Sequence, residues 1–85
     1  MVIEGALIRE QGVEFAIVIV KPHVVQNRIE GSRAISTFSE HFGVPVVLMA
    51  QNHRGVPTYY GRTDIVRFLA NTPMRAIPWR RFTLS

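Results

Sequence analysis

The side chains best suited to binding or chemistry are concentrated in residues 53–64, which read HRGVPTYYGRTD. Arg54 and Arg62 carry planar guanidinium groups that can hold phosphate or carboxylate, and Tyr59 and Tyr60 add aromatic faces and hydroxyls. The glycines allow a backbone to approach a ligand closely. We interpret this segment as a loop that binds an anionic group beside the start of a helix. The alternative is a structural turn whose tyrosines pack at the edge of the core.

A second group of candidate residues lies near the end of the chain, in the sequence WRRF. Neighbouring residues of a strand point to opposite faces, so one of Arg80 and Arg81 can share a face with Arg54 and Arg62 if the last strand pairs near the third. Such a basic, aromatic surface suits the phosphates and unpaired bases of nucleic acid. The alternative is an ordinary edge strand, on which arginines discourage aggregation.

The distribution of charge supports a basic binding surface. The net charge of the chain is +4, and nine of the ten basic residues are Arg. Residues 1–42 contain four basic and five acidic side chains, whereas residues 43–85 contain six arginines and a single acid, Asp64. The excess positive charge therefore belongs entirely to the second half.

The histidines and the missing cysteines limit other chemistry. The chain has no Cys, which excludes disulfides and cysteine nucleophiles, and His23, His41 and His53 do not show metal-ligand spacing. The sequence therefore predicts no metal and no cofactor.

An alternative hypothesis is a small enzyme that acts on an anionic substrate between His23 and the 53–64 segment. It requires His23 and Arg62 to converge in one concavity.

The first half of the chain predicts a hairpin, a helix and a buried strand. Residues 2–8 and 13–20 are rich in strand-forming residues, and the turn Glu10-Gln11-Gly12 between them can take a positive φ. Residues 15–20 are apolar at every position, so this strand should be covered on both faces. Asn27 and Glu30 form the pattern of a capping box, and Gly43 ends the helix, which could also begin at Ser32.

The second half predicts a strand, a helix and a last strand. Residues 44–50 (VPVVLMA) are typical of a strand buried on both faces, parallel to the one before it. Thr63 is expected to cap a helix with Asp64 in its first turn, and Ile65, Phe68 and Leu69 should point inward. Residues 77–84 should form an edge strand or a bulged one, because Pro78 cannot donate to a ladder.

These elements predict one α+β domain over residues 1–85: a small mixed four-stranded sheet with two helices, in the order β-β-α-β-α-β. The helices could cover one face, as in a two-layer sandwich, or both, as in a minimal thioredoxin-like arrangement. The doubly apolar strands favour covering of both faces, by helices, by long side chains or by a partner chain. Homo-oligomerisation is therefore a further expectation.

Two short segments are similar to known families. FAIVIVKPHVV resembles the opening strand of nucleoside diphosphate kinases, with His23 where that family has Asp, and no segment with the catalytic histidine follows. GVPTYYG is similar to the Val-Pro-Thr turn of thioredoxin-like proteins, in which the proline is cis. The first resemblance transfers no residue role. The second implies a possible cis Val56–Pro57 bond without redox chemistry.

The sequence thus favours a non-catalytic binding domain with a basic Arg/Tyr face formed by Arg54, Tyr59, Tyr60, Arg62, Arg80 and Arg81. The anionic partner could be nucleic acid, a phosphate-bearing ligand or an acidic protein. Besides the enzyme, a structural subunit of a larger complex is an alternative. The longest apolar run is too short to span a bilayer and the N-terminus has no secretion-signal pattern, so we expect a cytoplasmic domain with no membrane contact.

Overall fold

The computed structural model describes residues 1–10 and 12–84, which form one five-stranded mixed sheet with helices on both faces. In chain order the elements are β1 (Val2–Glu10), β2 (Val13–Ile19), α1 (Pro22–Gln26), α2 (Arg28–Phe42), β3 (Val46–Gln51), β4 (Pro57–Tyr60), α3 (Thr63–Ala70), a 3₁₀ turn (Met74–Ala76) and β5 (Arg80–Thr83). The strands lie in the order β4-β3-β2-β1-β5. The predicted α+β class is confirmed, although these residues form five strands where the sequence predicts four.

The predicted N-terminal hairpin is present. β1 and β2 pair antiparallel from Gly5 opposite Val18 to Glu10 opposite Val13. Gln11, in the predicted turn, lies outside the described residues. Towards its N-terminus β1 pairs with β5 instead, and Gly5 belongs to both ladders. A Cβ at Gly5 would collide with the carbonyl oxygen of Ile17, so only glycine allows this close approach of the two strands.

The parallel pair β2 and β3 forms the centre of the core, as the apolar runs predict. Phe15 and Ile17 pack on the α3 side together with Val47 and Met49. The alternate residues face α2, and those that are buried on this side are Ala16, Val18, Val46 and Leu48. Helices therefore cover both faces of the central strands, which corresponds to the second of the two predicted arrangements.

The long helix α2 has the predicted ends. The side-chain Oδ1 of Asn27 accepts a hydrogen bond from the Glu30 N–H at 3.0 Å, and Gly43 takes a left-handed conformation with φ of 71°. The helix begins at Arg28, so the alternative start at Ser32 is wrong. The Glu30 carboxylate lies 3.2 Å from Nδ1 of His23 in α1. It pairs with that ring instead of completing the predicted capping box.

The helix α3 follows the prediction in part. Thr63 is its first helical residue and not its cap, which is Arg62, and Asp64 lies in the first turn as expected. Ile65 and Leu69 are buried. Phe68 was also expected to point inward, but it is 38 % exposed and only the edge of the core is in its reach, where its ring meets that of Phe15 edge-on with 6.2 Å between centroids. No helix in the described ranges is long and apolar enough to cross a membrane.

The strand β4 is the main element that the sequence analysis missed. It lies inside the segment predicted to be a loop, and it pairs antiparallel with β3 from Gln51 opposite Pro57 to Leu48 opposite Tyr60. The described residues contain no cis peptide bond, so Val56–Pro57 is trans. Because β4 occupies the open side of β3, the last strand cannot pair there. β5 instead pairs with β1 and forms the opposite edge of the sheet.

Gly31 connects α2 to β4 through close packing. It is buried in the first turns of the helix, and a Cβ at this position would lie 2.7 and 3.0 Å from two carbons of the Tyr60 ring. Glycine is normally unfavourable inside a helix by about 1 kcal/mol relative to alanine. Here the space that it leaves allows the ring to pack directly against the helix backbone.

We therefore expect Gly31→Ala to destabilise the fold by about 1–3 kcal/mol, in spite of the higher helix propensity of alanine. Urea unfolding followed by circular dichroism measures the effect. In a Tyr60→Ala background the ring is gone, and the same substitution should become neutral or stabilising. A stabilising effect of Gly31→Ala in the presence of Tyr60 would contradict this account of the packing.

Candidate anion-binding site

The two adjacent tyrosines do not share a surface. Successive residues of a strand point to opposite faces, so Tyr59 packs with the cluster under α3 and Tyr60 with the cluster under α2. The Tyr60 hydroxyl lies 3.4 Å from Oγ of Ser32 on the helix. The interpretation of the pair as one aromatic face is therefore wrong, because that interpretation treated the segment as a loop.

The Tyr59 hydroxyl is buried and has no hydrogen-bond partner among the described residues. Burial raises the pKa of this hydroxyl above its usual value, because the charged form would lose hydration. Since buried polar groups normally pair, this hydroxyl is a local cost to the stability of the fold.

Arg62 is occupied by an acid of its own helix. Its Nε donates to one carboxylate oxygen of Asp64 at 2.8 Å and its Nη2 to the other at 2.7 Å. The hydrogen bond from Arg62 is the main cause that lowers the pKa of Asp64 from 3.8 to about 2. This bidentate pair neutralises both groups at the start of α3, so an anion would have to compete with Asp64 for Arg62.

The structure does not bring Arg80 and Arg81 to the other predicted site residues. β5 lies at the far edge of the sheet from β4, with three strands between them. Arg80 lies over the ring of Phe82 at 4.9 Å from its centroid, and Arg81 is opposite Glu4 of β1 in the ladder. The expectation that one of them shares a face with Arg54 and Arg62 is therefore wrong.

Arg54 lies at the tip of the hairpin between β3 and β4, where Asn52 shapes the turn. Oδ1 of Asn52 accepts hydrogen bonds from the N–H groups of Arg54 at 2.8 Å and Val56 at 3.0 Å. Asparagine favours such turns because its side chain replaces a backbone acceptor. The exposed Arg54 side chain therefore belongs to a turn whose backbone is fixed by the two hydrogen bonds to Asn52.

Gln51 connects this hairpin tip to a second part of the chain. Its Nε2 donates to the Gly55 carbonyl oxygen at 2.9 Å and lies 3.6 Å from Sδ of Met74. Arg54 precedes Gly55 and Arg75 follows Met74. Both arginines are exposed, and both are therefore carried to the end of the sheet at which β3 finishes.

Two further basic residues lie at the same end of the sheet. Lys21 lies two residues after the end of β2, and it lines an open groove of about 660 Å³ together with Gln51. His53 belongs to the hairpin tip. We name these four exposed side chains the cationic rim, after the charges of the lysine and the two arginines: Lys21, His53, Arg54 and Arg75. None of the four has an acidic partner within the described residues.

Lys21 and Arg75 were missed by the sequence analysis. A signal for Lys21 was present, since it directly follows a strand predicted to be parallel to the next one, and ligands gather at the carboxyl ends of parallel strands. Arg75 had no such signal, because its position depends on the contact between Gln51 and Met74, which are 23 residues apart.

His23 and Arg62 do not converge. His23 belongs to α1 on the α2 side of the sheet, whereas Arg62 is the N-cap of α3 on the other side. The concavity that the enzyme hypothesis requires is therefore not formed by these two residues. Comparison with protein-family models, with curated proteins and with solved structures finds no match.

The unpaired hydroxyl gives a first prediction for this region. We expect Tyr59→Phe to stabilise the protein by about 1 kcal/mol, because it removes a buried polar group that has no partner and keeps the ring. The neighbouring Tyr60→Phe is the matched control. It should change the stability little, because the Tyr60 hydroxyl makes only a long and exposed contact with Ser32. Thermal and urea unfolding measure both variants. Destabilisation by Tyr59→Phe would show that its hydroxyl is paired.

The Arg62–Asp64 pair gives a second prediction. Arg62→Gln should return the pKa of the Asp64 carboxyl towards 3.8, which a carboxyl-detected NMR titration measures directly. Because the pKa of Asp64 is lower in the folded chain than in the unfolded one, the pair stabilises the fold above about pH 4, and this contribution disappears as the pH falls towards 2. Arg62→Gln should therefore reduce the loss of stability over that interval. An unchanged pKa of Asp64 in this variant would contradict the assigned cause.

Proposed function

We propose that this protein is a small binding domain whose cationic rim contacts an extended anionic partner, with nucleic acid as the first partner to test. The observation that carries the proposal is the contact of Gln51 with both Gly55 and Met74, which holds Arg54 and Arg75 at one end of the sheet. Lys21 and His53 extend the same end.

The local charge supports an anionic partner. Residues 41–63 contain no Asp or Glu, and the next acid, Asp64, is paired with Arg62 at the start of α3. Before this segment the nearest acid along the chain is Glu40, in the last turns of α2, and the acids on either side of Lys21 are Glu14, which pairs with Arg9, and Glu30, which pairs with His23. Phosphates that approach the rim would therefore meet guanidinium and ammonium groups without competition from carboxylates, and arginine can bind phosphate through two parallel hydrogen bonds.

The shape of the rim favours an extended partner over a small ligand. The rim residues are exposed, and the groove beside Lys21 is open to solvent instead of enclosing a ligand. Small-molecule sites usually bury most of their ligand in a concave pocket, whereas a phosphate backbone can be held by a few exposed cations. Of the residues predicted from the sequence, the proposal keeps Arg54 as a contact and leaves Tyr59, Tyr60, Arg62, Arg80 and Arg81 outside the contact surface.

The test is a binding titration by fluorescence anisotropy with labelled single-stranded and double-stranded DNA. Binding through phosphates should weaken steeply between about 50 and 200 mM salt. The double variant Arg54→Gln/Arg75→Gln should lower the affinity about tenfold or more at low salt and reduce the slope of the salt dependence by about two phosphate contacts.

The double variant Arg80→Gln/Arg81→Gln is the matched control, because it removes the same net charge from the opposite edge of the sheet. It should bind nearly as well as the unsubstituted protein. Equal losses in the two variants would mean that net charge alone causes binding, which would overturn the assignment to the rim. If neither form of DNA binds at low salt, the nucleic-acid version of the proposal is wrong.

A further inference from the structure

The two outer strands of the sheet are protected to very different degrees. The edge strand β5 carries Arg80 and Arg81, and such charges on an edge oppose pairing with a second sheet. The strand β4, at the other edge, reads PTYY and contains no charged side chain. The sheet therefore has one guarded edge and one neutral edge.

The neutral edge offers backbone groups for a further ladder. Asn52 and Val56 close the hairpin with a hydrogen bond, so the alternation of an antiparallel ladder directs the backbone groups of Thr58 and Tyr60 towards β3. The N–H and C=O groups of Tyr59 and the C=O of Pro57 then point away from the sheet. Pro57 has no N–H, but it occupies a non-hydrogen-bonded position of the ladder with β3. The pairing of β3 and β4 therefore loses no hydrogen bond at this residue.

Apolar side chains border this edge. Val56, which directly precedes β4, is 54 % exposed, and an open groove of about 510 Å³ continues from it between the strand and α3. The groove is lined by Pro57, Val66, Ala70 and Met74, among others. A second polypeptide paired with β4 would cover part of this apolar surface.

We propose that a second copy of this chain pairs with β4, antiparallel to it, about a twofold axis at Tyr59. In this register the Tyr59 N–H of each copy donates to the Tyr59 carbonyl of the other, and the Pro57 carbonyl faces the Gly61 N–H. The two sheets join into one sheet of ten strands. The chain is thus its own partner at this edge, which is an inference separate from the proposed binding of an anion.

The other strand pairings fit less well. Pairing of β5 with β5 would bring the arginines of two copies together, and like charges in facing strands are destabilising. Pairing of β4 with β5 joins two different edges, so each dimer would keep one free edge of each kind and chains could add without limit. Only the contact of β4 with β4 is closed and symmetric and leaves β5, with its arginines, at both ends. The antiparallel arrangement also places the two cationic rims at opposite ends of the dimer.

The first experiment is sedimentation equilibrium over a range of concentrations. The chain mass is 9.6 kDa, and we expect a dimer of twice that mass. Thr58→Lys places two lysines diagonally across the twofold axis and should raise the dimer Kd about fivefold or more through charge repulsion. Thr83→Lys, an identical change at an exposed position of β5, is the matched control and should leave the Kd unchanged.

The second experiment does not depend on the stability of the lysine variants. Because the chain has no cysteine, Thr58→Cys and Thr83→Cys each introduce a single reactive thiol. A short bismaleimide should cross-link Thr58→Cys to itself and should leave Thr83→Cys monomeric on a denaturing gel. A protein that remains monomeric at high concentration would overturn the proposal. So would cross-linking of the two cysteine variants to the same extent, or an equal rise of Kd in the two lysine variants.

Discussion

The fold depends on one constraint: β2 and β3, the parallel pair at the centre of the sheet, are apolar on both faces. A strand of this kind is stable only if each face is covered, so a single layer of helices cannot suffice. The chain provides α2 on one side and α3 on the other, and β1 and β4 flank the pair. Within the described residues no polar or charged residue is buried as a whole, and the Tyr59 hydroxyl is the buried polar group that has no partner. Polar side chains that could bind a ligand therefore lie at the ends of strands, at the edges of the sheet and on the outer faces of the helices.

This constraint explains why the candidate site lies where it does. When the faces of a sheet are covered, side chains that follow the carboxyl ends of its parallel strands are the ones that reach solvent together. Lys21 lies two residues after the end of β2, and Gln51 is the last residue of β3. The polar Gln51 side chain then joins the hairpin tip to the 3₁₀ turn. One glutamine at a strand end thus connects the buried sheet to exposed arginines from two distant parts of the sequence.

The sequence predicted elements whose pattern is local. The hairpin, α2 with its Asn27 cap and the buried β3 follow from periodicity and capping residues, which act within a few positions. The strand β4 could not be found in this way, because it has only four residues, begins with a proline and is followed directly by a glycine, which together are typical of a turn. Pairing with β3 makes it a strand, and pleating then separates Tyr59 from Tyr60. The edge occupied by β5 likewise depends on β4 having filled the other side of β3. The errors about the site residues follow from these two tertiary contacts.

The excess of arginine in the second half is easier to interpret once the edges are distinguished. A single basic face would require Arg54, Arg62 and one of Arg80 and Arg81 to lie together, and the sheet order separates them. Arg62 is neutralised by Asp64, and Arg80 lies over Phe82 on an edge strand, where positive charge opposes pairing. Arg54 and Arg75 have neither kind of neighbour. Arginine therefore has three roles in this chain: it pairs with a nearby acid, protects an edge strand from pairing, or is exposed where a partner can contact it. The neighbours of each arginine determine which role it has, and its position in a charged run does not. The strand β4, which lies between the rim and the start of α3, contains no charged residue. This is the arrangement expected if positive charge is excluded from the edge strand that is open to pairing.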